Sequence, residues 1–234
     1  MTAEGGLCGT IPLPPSTIAL TGISDVNAPW AVSIGEVKKG TYEHNCGGSI
    51  IGLNVVLTAA HCITNGDFFS DFFVVVAGVP NLRYADKTEK FKIDKAVVHP
   101  RWHKESPRHV YYDAGLIFTK EKFQYSPWIQ PVCLPSLGHK QLPEGHSITV
   151  VGWGRGHQDG LSSKLVQIDV TLRSDKECDT KYNQSTTPKQ RRQMKNELPR
   201  LLEPTQFCAD NNVNSDVGTC SGDSGNISIY VLCS

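Results

Sequence analysis

Leu57-Thr58-Ala59-Ala60-His61-Cys62 is the stretch on which the reading of this chain turns. It ends a β-rich run with two alanines, small enough to leave room for an imidazole, and follows the histidine at once with a cysteine. A histidine before a cysteine has ordinary structural explanations when it stands alone. Two distant stretches change its meaning. Tyr111-Tyr112-Asp113-Ala114-Gly115-Leu116-Ile117 sets an acid at the mouth of an apolar run, where a carboxylate can be buried and still reach an imidazole. Thr219-Cys220-Ser221-Gly222-Asp223-Ser224-Gly225 surrounds a hydroxyl with glycines, whose backbone freedom permits a tight turn that aims amide hydrogens at one point.

Acyl transfer by serine needs a hydroxyl nucleophile, an imidazole to take and return its proton, a carboxylate to hold that imidazole, and backbone donors for the oxyanion. His61, Asp113 and Ser224 supply the three side chains, in that chain order. Position 226 is Asn, so Ser224 lies outside a G-x-S-x-G elbow, and the α/β-hydrolase order of serine, acid, histidine is absent.

Around these stretches, short β-rich runs recur between turn signals: Ala31 to Ile34, Ser49 to Leu57, Phe72 to Val79, Phe91 to His99, Leu116 to Thr119, Ser147 to Val151 and Leu165 to Leu172. Such spacing predicts an all-β sandwich or barrel. Gly47-Gly48, Asn65-Gly66 and Asp159-Gly160 punctuate the runs, and the Pro-rich stretch from Ser126 to Pro143 reads as a connection between two β units, with a boundary near Ser126. Helical signals are confined to the second half. Ser174-Asp175-Lys176-Glu177 has the spacing of a capping box. Met194, Leu198, Leu201 and Leu202 share one helical face, interrupted by Pro199, with Lys189, Arg191, Arg192 and Lys195 largely elsewhere; this segment reads as a solvated insertion.

The 234 residues, 39% hydrophobic and 20% charged, suffice to bury a core in one or two domains. Lys plus Arg equals Asp plus Glu at 23 each, so no summed field favours nucleic acid or an anionic membrane surface. No apolar run approaches the roughly 20 residues of a membrane helix. Eight cysteines without a C-x-x-C pair argue against a zinc site and for disulfides formed in an oxidising, extracellular compartment, although Met1 to Pro15 shows no secretory signal. Neither a metal nor an organic cofactor is expected.

As a set, these motifs resemble the chymotrypsin and trypsin family of serine endopeptidases. Pro29-Trp30-Ala31-Val32 is similar to the first strand of that family, Cys46-Gly47-Gly48-Ser49 and Thr58 to Cys62 to its histidine region, and Gln130-Pro131-Val132-Cys133-Leu134-Pro135 to its interdomain segment. Val151-Gly152-Trp153-Gly154 and Phe207-Cys208-Ala209 resemble later strands. The resemblance implies two antiparallel β-barrels with few short helices: a tail over 1–17, a first barrel over 18–125 with His61 and Asp113, and a second over 126–234 with Ser224. It implies His61 as general base, Asp113 as its orienting group, and the amides of Gly222 and Ser224 as the oxyanion hole. The partners are a protein or peptide substrate and an activating protease, with neither nucleic acid nor membrane. Eight cysteines allow roughly 105 pairings; the resemblance implies Cys46 with Cys62, Cys178 with Cys208, and Cys8 with Cys133. It supplies no partner for Cys220, for which Cys233 is the late candidate.

Three departures qualify these expectations. After Gly225 the family continues with several strands that build the specificity pocket, whereas Asn226 to Ser234 resemble none of them; the second barrel is therefore expected to be incomplete and peptidase activity low. In the family, cleavage frees an ammonium that pairs with the acid matching Asp223. The nearest local match is Ile18-Ala19-Leu20-Thr21-Gly22, and no Lys or Arg precedes Lys38 to direct a trypsin-like activator. At the position matching the family's pocket floor stands Gly218, and the resemblance thus implies that basic side chains are disfavoured and apolar or small ones favoured. Asn183-Gln184-Ser185 and Asn226-Ile227-Ser228 have the form of glycosylation sequons.

Overall fold

The structure, a computed structural model, describes residues 8–9, 26–64, 72–106, 109–135, 142–154, 163–174, 176–177, 180, 207–210 and 228–229. Six strands form a closed barrel in the order β1-β2-β3-β8-β5-β4: β1 (Ala31–Lys38), β2 (Thr41–Gly52), β3 (Val55–Thr58), β4 (Phe73–Ala77), β5 (Lys90–Val98) and β8 (Gly115–Thr119). All its pairings are antiparallel. A second sheet, ordered β11-β10-β9-β12, is built from β9 (Ser147–Gly152), β10 (Val166–Arg173), β11 (Cys208–Asp210) and β12 (Ser228–Ile229). Between β5 and β8 lies the hairpin of β6 (His103–Ser106) and β7 (His109–Tyr111). The all-β architecture predicted from the spacing of the runs is borne out, as a closed barrel with a second, partial sheet.

The barrel closes because its strands bury alternate residues on one shared interior. On β4, Phe73, Val75 and Ala77 join Val32, Ile34, Ile50, Val56, Phe91, Ile117 and Phe123 in the main core, while Val74 and Val76 pack outward with Val79 and Ala85. With side chains alternating across the strand, a run apolar at every position can be buried on both faces. Gly35 marks the bulge between Ile34 and Gly35, where a Cβ would overlap the Glu43 carbonyl oxygen. A third cluster joins the barrel to the second sheet: Ala28, Trp30 and Ala31 meet Val151, Trp153 and Leu165.

Several local expectations need correction. The run from Ser49 to Leu57 is not one strand, because Leu53 and Asn54 turn the chain between β2 and β3. Their carbonyls accept from Phe123 (2.6 Å) and Thr119 (3.0 Å), so the turn is fixed by residues more than sixty positions away. Helix is not confined to the second half either: α1 (Ala60–Thr64) and a 3₁₀ turn (Leu82–Lys87) lie in the first. One turn is too short to show periodicity, and its support is local, with the Asn81 side chain accepting from the Arg83 amide at 3.1 Å. The capping box does form, with Ser174 and Glu177 bonding reciprocally at 3.3 Å. The segment containing Met194 and Leu198, both sequons' asparagines, and the Asn65-Gly66 and Asp159-Gly160 turns lie outside the described residues.

Candidate active site

Antiparallel pairing of β3 with β8 sets Thr58 opposite Gly115, so the chain leaving β3 and the chain entering β8 meet at one end of the barrel. His61 lies three residues after Thr58, in α1, and Asp113 two residues before Gly115. Close approach of the two segments requires the glycine: a Cβ at 115 would overlap Ile63 Cδ1 and lie 3.5 Å from Ala60 Cα. Thr58 caps the approach from within the barrel, its buried hydroxyl donating to the Gly47 carbonyl at 2.8 Å.

Asp113 takes two hydrogen bonds from one residue. Its Oδ1 accepts the His61 amide at 2.8 Å, and its Oδ2 lies 2.6 Å from His61 Nδ1. Amide and ring are thus gripped together, which leaves the imidazole little freedom to rotate. With Nδ1–H donating to the carboxylate, Nε2 is the basic nitrogen. Both side chains are about one quarter exposed, at 27% and 26%, so the pair is open to a reactant on one side. Burial pushes the Asp113 carboxyl up, but the bonds from the His61 ring and amide and from the Ala60 amide outweigh it and hold the carboxyl below its usual range.

The backbone before Asp113 is unusual. Tyr112 has φ of 52°, a left-handed conformation uncommon for a bulky residue. Such a residue costs on the order of 1–3 kcal/mol and persists only where its surroundings over-determine it. Its carbonyl accepts from the Ala114 amide at 2.7 Å. The ring stacks on His99, with centroids 4.9 Å apart and planes 9° from parallel, and the Arg101 guanidinium lies 4.4 Å from the same ring's centroid. Nothing in the sequence motif singled out Tyr112, His99 or Arg101; their only signal is position, Tyr112 directly before the acid.

On the other side of His61, Cys62 is bonded to Cys46 of β2 across a sequence separation of 16. A loop of that size makes the cross-link worth about 3 kcal/mol. Cys46, His61 and Cys62 bring potential ligand atoms within 4.8 Å of one another, but with both sulfurs in the disulfide there is no thiolate to hold a metal. Cys8 is bonded to Cys133, and Cys208 is also in a disulfide. A second polar cluster also escaped the sequence reading: the fully buried Ser33 hydroxyl bonds Tyr42 Oη at 2.5 Å and His44 Nδ1 at 2.6 Å. Burial pushes the Tyr42 phenol up, with the Ser33 bond opposing it. Ser224, Gly222, Asp223, Gly218, Ile18, Cys178, Cys220 and Cys233 lie outside the described residues.

Comparison with known proteins gives one consistent answer. The sequence profile of the family described as Trypsin matches residues 21–226. Chymotrypsin-C of Bos taurus is 31% identical over 200 residues, 84% of this chain and 66% of the relative. CLIP domain-containing serine protease B4 of Anopheles gambiae is 32% identical over 210 residues, 84% of this chain and 54% of the relative. Ovochymase-2 of Mus musculus is 33% identical over 153 residues, 64% of this chain but only 24% of the relative. The chain therefore spans from about a quarter to two thirds of the length of these curated relatives. Among solved structures, neuropsin, a serine protease expressed in the limbic system of mouse brain, is similar in fold. Its TM-score is 0.63 at 23% identity, over 86% of this chain and 77% of that one.

Proposed function

Because this chain belongs to the trypsin family of serine endopeptidases, we propose that it hydrolyses peptide bonds through an acyl-enzyme formed on Ser224, with His61 as general base and Asp113 as its orienting carboxylate. The observation that carries this reading is the double grip of Asp113 on His61, through amide and Nδ1 at once. It makes Nδ1 the donor and leaves Nε2, 3.7 Å from Cys62 Sγ, as the basic nitrogen, the tautomer a general base requires.

Each step balances on residues of this chain. Ser224 Oγ attacks the peptide carbonyl while His61 Nε2 takes the hydroxyl proton, and the imidazolium is stabilised by Asp113, which stays ionised. The carbonyl oxygen becomes an oxyanion that accepts from the amides of Gly222 and Ser224. Collapse breaks the C–N bond, and His61 returns its proton to the leaving amine. Water then enters by the same route and releases the acid. Residues 18–125 supply His61 and Asp113, residues 126–234 supply Ser224, and the tail over 1–17 is tethered through Cys8 to Cys133. Gly218 at the pocket floor favours small or apolar side chains.

Regulation and location follow the same reading. Oxidised cysteines support a secreted protein. An activating protease would cut before Ile18, whose freed ammonium pairs with Asp223 and orders the oxyanion amides. The test is to express residues 1–234, nick the chain before Ile18, and assay peptide esters with apolar and basic leading residues beside Ser224→Ala. Turnover lost in the Ser224→Ala control supports the proposal. Turnover equal in both chains, or none in either, would overturn it and favour a catalytically silent homologue with a binding or regulatory role.

A further inference from the structure

We propose that Tyr112, His99 and Arg101 are positioning residues for Asp113: their stacked side chains lock the left-handed turn that presents the carboxylate to His61. The inference rests on the proposed roles of His61 and Asp113, and none of the three residues touches a reacting atom.

Asp113 is bracketed by Tyr112 and Ala114, and both brackets are tied to His99. The His99 amide donates to the Ala114 carbonyl at 2.8 Å, while its ring lies flat on Tyr112. The ring is itself held, since Nδ1 accepts from the Arg101 amide at 3.1 Å. That acceptor role leaves the proton on Nε2 in the neutral ring. The Trp102 amide donates to the His99 carbonyl at 2.8 Å, closing a turn over 99–102 that returns the Arg101 guanidinium to the Tyr112 ring. One short segment thus engages Tyr112 twice, by stacking and by a cation over its ring, and Ala114 once. The residue so held has the positive φ, and its carbonyl closes the tight turn with the Ala114 amide across Asp113. Without the ring, the backbone at 112 would relax toward ordinary negative φ and rotate the plane of Asp113. Oδ1 and Oδ2 would then no longer meet the His61 amide and ring together.

The His61 Nδ1–H proton in its short bond to Asp113 gives a low-field NMR resonance that reads this geometry without any turnover. Using the full chain labelled with ¹⁵N-histidine, the resonance is compared in wild type, Tyr112→Phe, Tyr112→Ala, His99→Gln and Arg101→Ala, with circular dichroism reporting the fold. Tyr112→Phe, which keeps the ring, retains the wild-type signal; Tyr112→Ala and His99→Gln lose it or shift it upfield while remaining folded. If nicked chain turns over esters, Tyr112→Ala lowers kcat by up to about 100-fold with KM little changed, and Tyr112→Phe restores it. An unchanged resonance in folded Tyr112→Ala and His99→Gln overturns the proposal. Should Tyr112→Ala not fold, His99→Gln and the exposed Arg101→Ala decide, and unchanged signals in both overturn it. Because Ser224 contributes nothing to the resonance, a silent chain can still pass this test, and failure of the proposed peptidase activity is seen separately in the Ser224→Ala control.

Discussion

Asp113 is the residue whose protonation links the site to the stability of the fold. Its carboxyl is held below the usual range by the His61 and Ala60 bonds against the opposing effect of burial. A carboxyl with a depressed folded pKa contributes stability that is present above its unfolded value and is lost as pH falls through the folded one. Urea midpoints taken from about pH 7 to about pH 3 should therefore fall more steeply for wild type than for Asp113→Asn, which has no such proton to bind. Equal slopes would show that the carboxylate gains nothing from His61. For turnover, the amide leaves the shape of the site but favours the wrong imidazole tautomer, and kcat is expected to fall by roughly 10⁴.

The meeting of α1 with β8 depends on a single missing methyl. Gly115 allows Ile63 and Ala60 to lie against the strand that begins two residues after Asp113. Gly115→Ala forces Ile63 Cδ1 aside or lifts α1, and with it His61, from β8. Overpacking of this kind costs about 1–3 kcal/mol. Thermal or urea unfolding measures it, and adding Ile63→Val, which deletes the obstructing Cδ1, should recover part of the loss. Failure of the double variant to recover any stability would mean that backbone, not the Ile63 tip, is the obstacle. The disulfide from Cys62 to β2 holds the other side of the same short helix, so α1 is fixed by packing and by a covalent bond together.

Between the closed barrel and the second sheet lies Trp153, the largest fully buried side chain among the described residues. It packs with Trp30 and Leu165, donates from Nε1 to the Pro80 carbonyl at 3.3 Å, and presents its ring edge-on to His44 at 5.9 Å. Trp153→Ala removes packing from both sides of the junction and is expected to cost about 3–5 kcal/mol, read as a lowered urea midpoint. The two sheets should also differ in hydrogen exchange. Every barrel strand is paired on both sides, whereas among the described residues β11 and β12 each have one partner. Barrel amides that exchange faster than those of β11 would contradict this order.

The all-β class and the strand positions near Ala31, Phe72, Phe91 and Ser147 were legible in the sequence, because apolar alternation is local, and so were His61 and Asp113 as residues to be proposed for a site. His61 and Asp113 could be named from their motifs alone. What held them could not. The turn at Leu53 and Asn54 is fixed by Thr119 and Phe123, and the grip on His61 follows from the β3–β8 register, both contacts between distant parts of the chain. The left-handed Tyr112 with its His99 and Arg101 stack left no trace in composition or spacing. The sequence by itself determined which side chains are present to be proposed for acyl transfer, His61, Asp113 and Ser224. Tertiary structure alone decided how His61 and Asp113 face one another, since hydrogen-bond direction and ring stacking depend on distances that close only when strands remote in sequence pair.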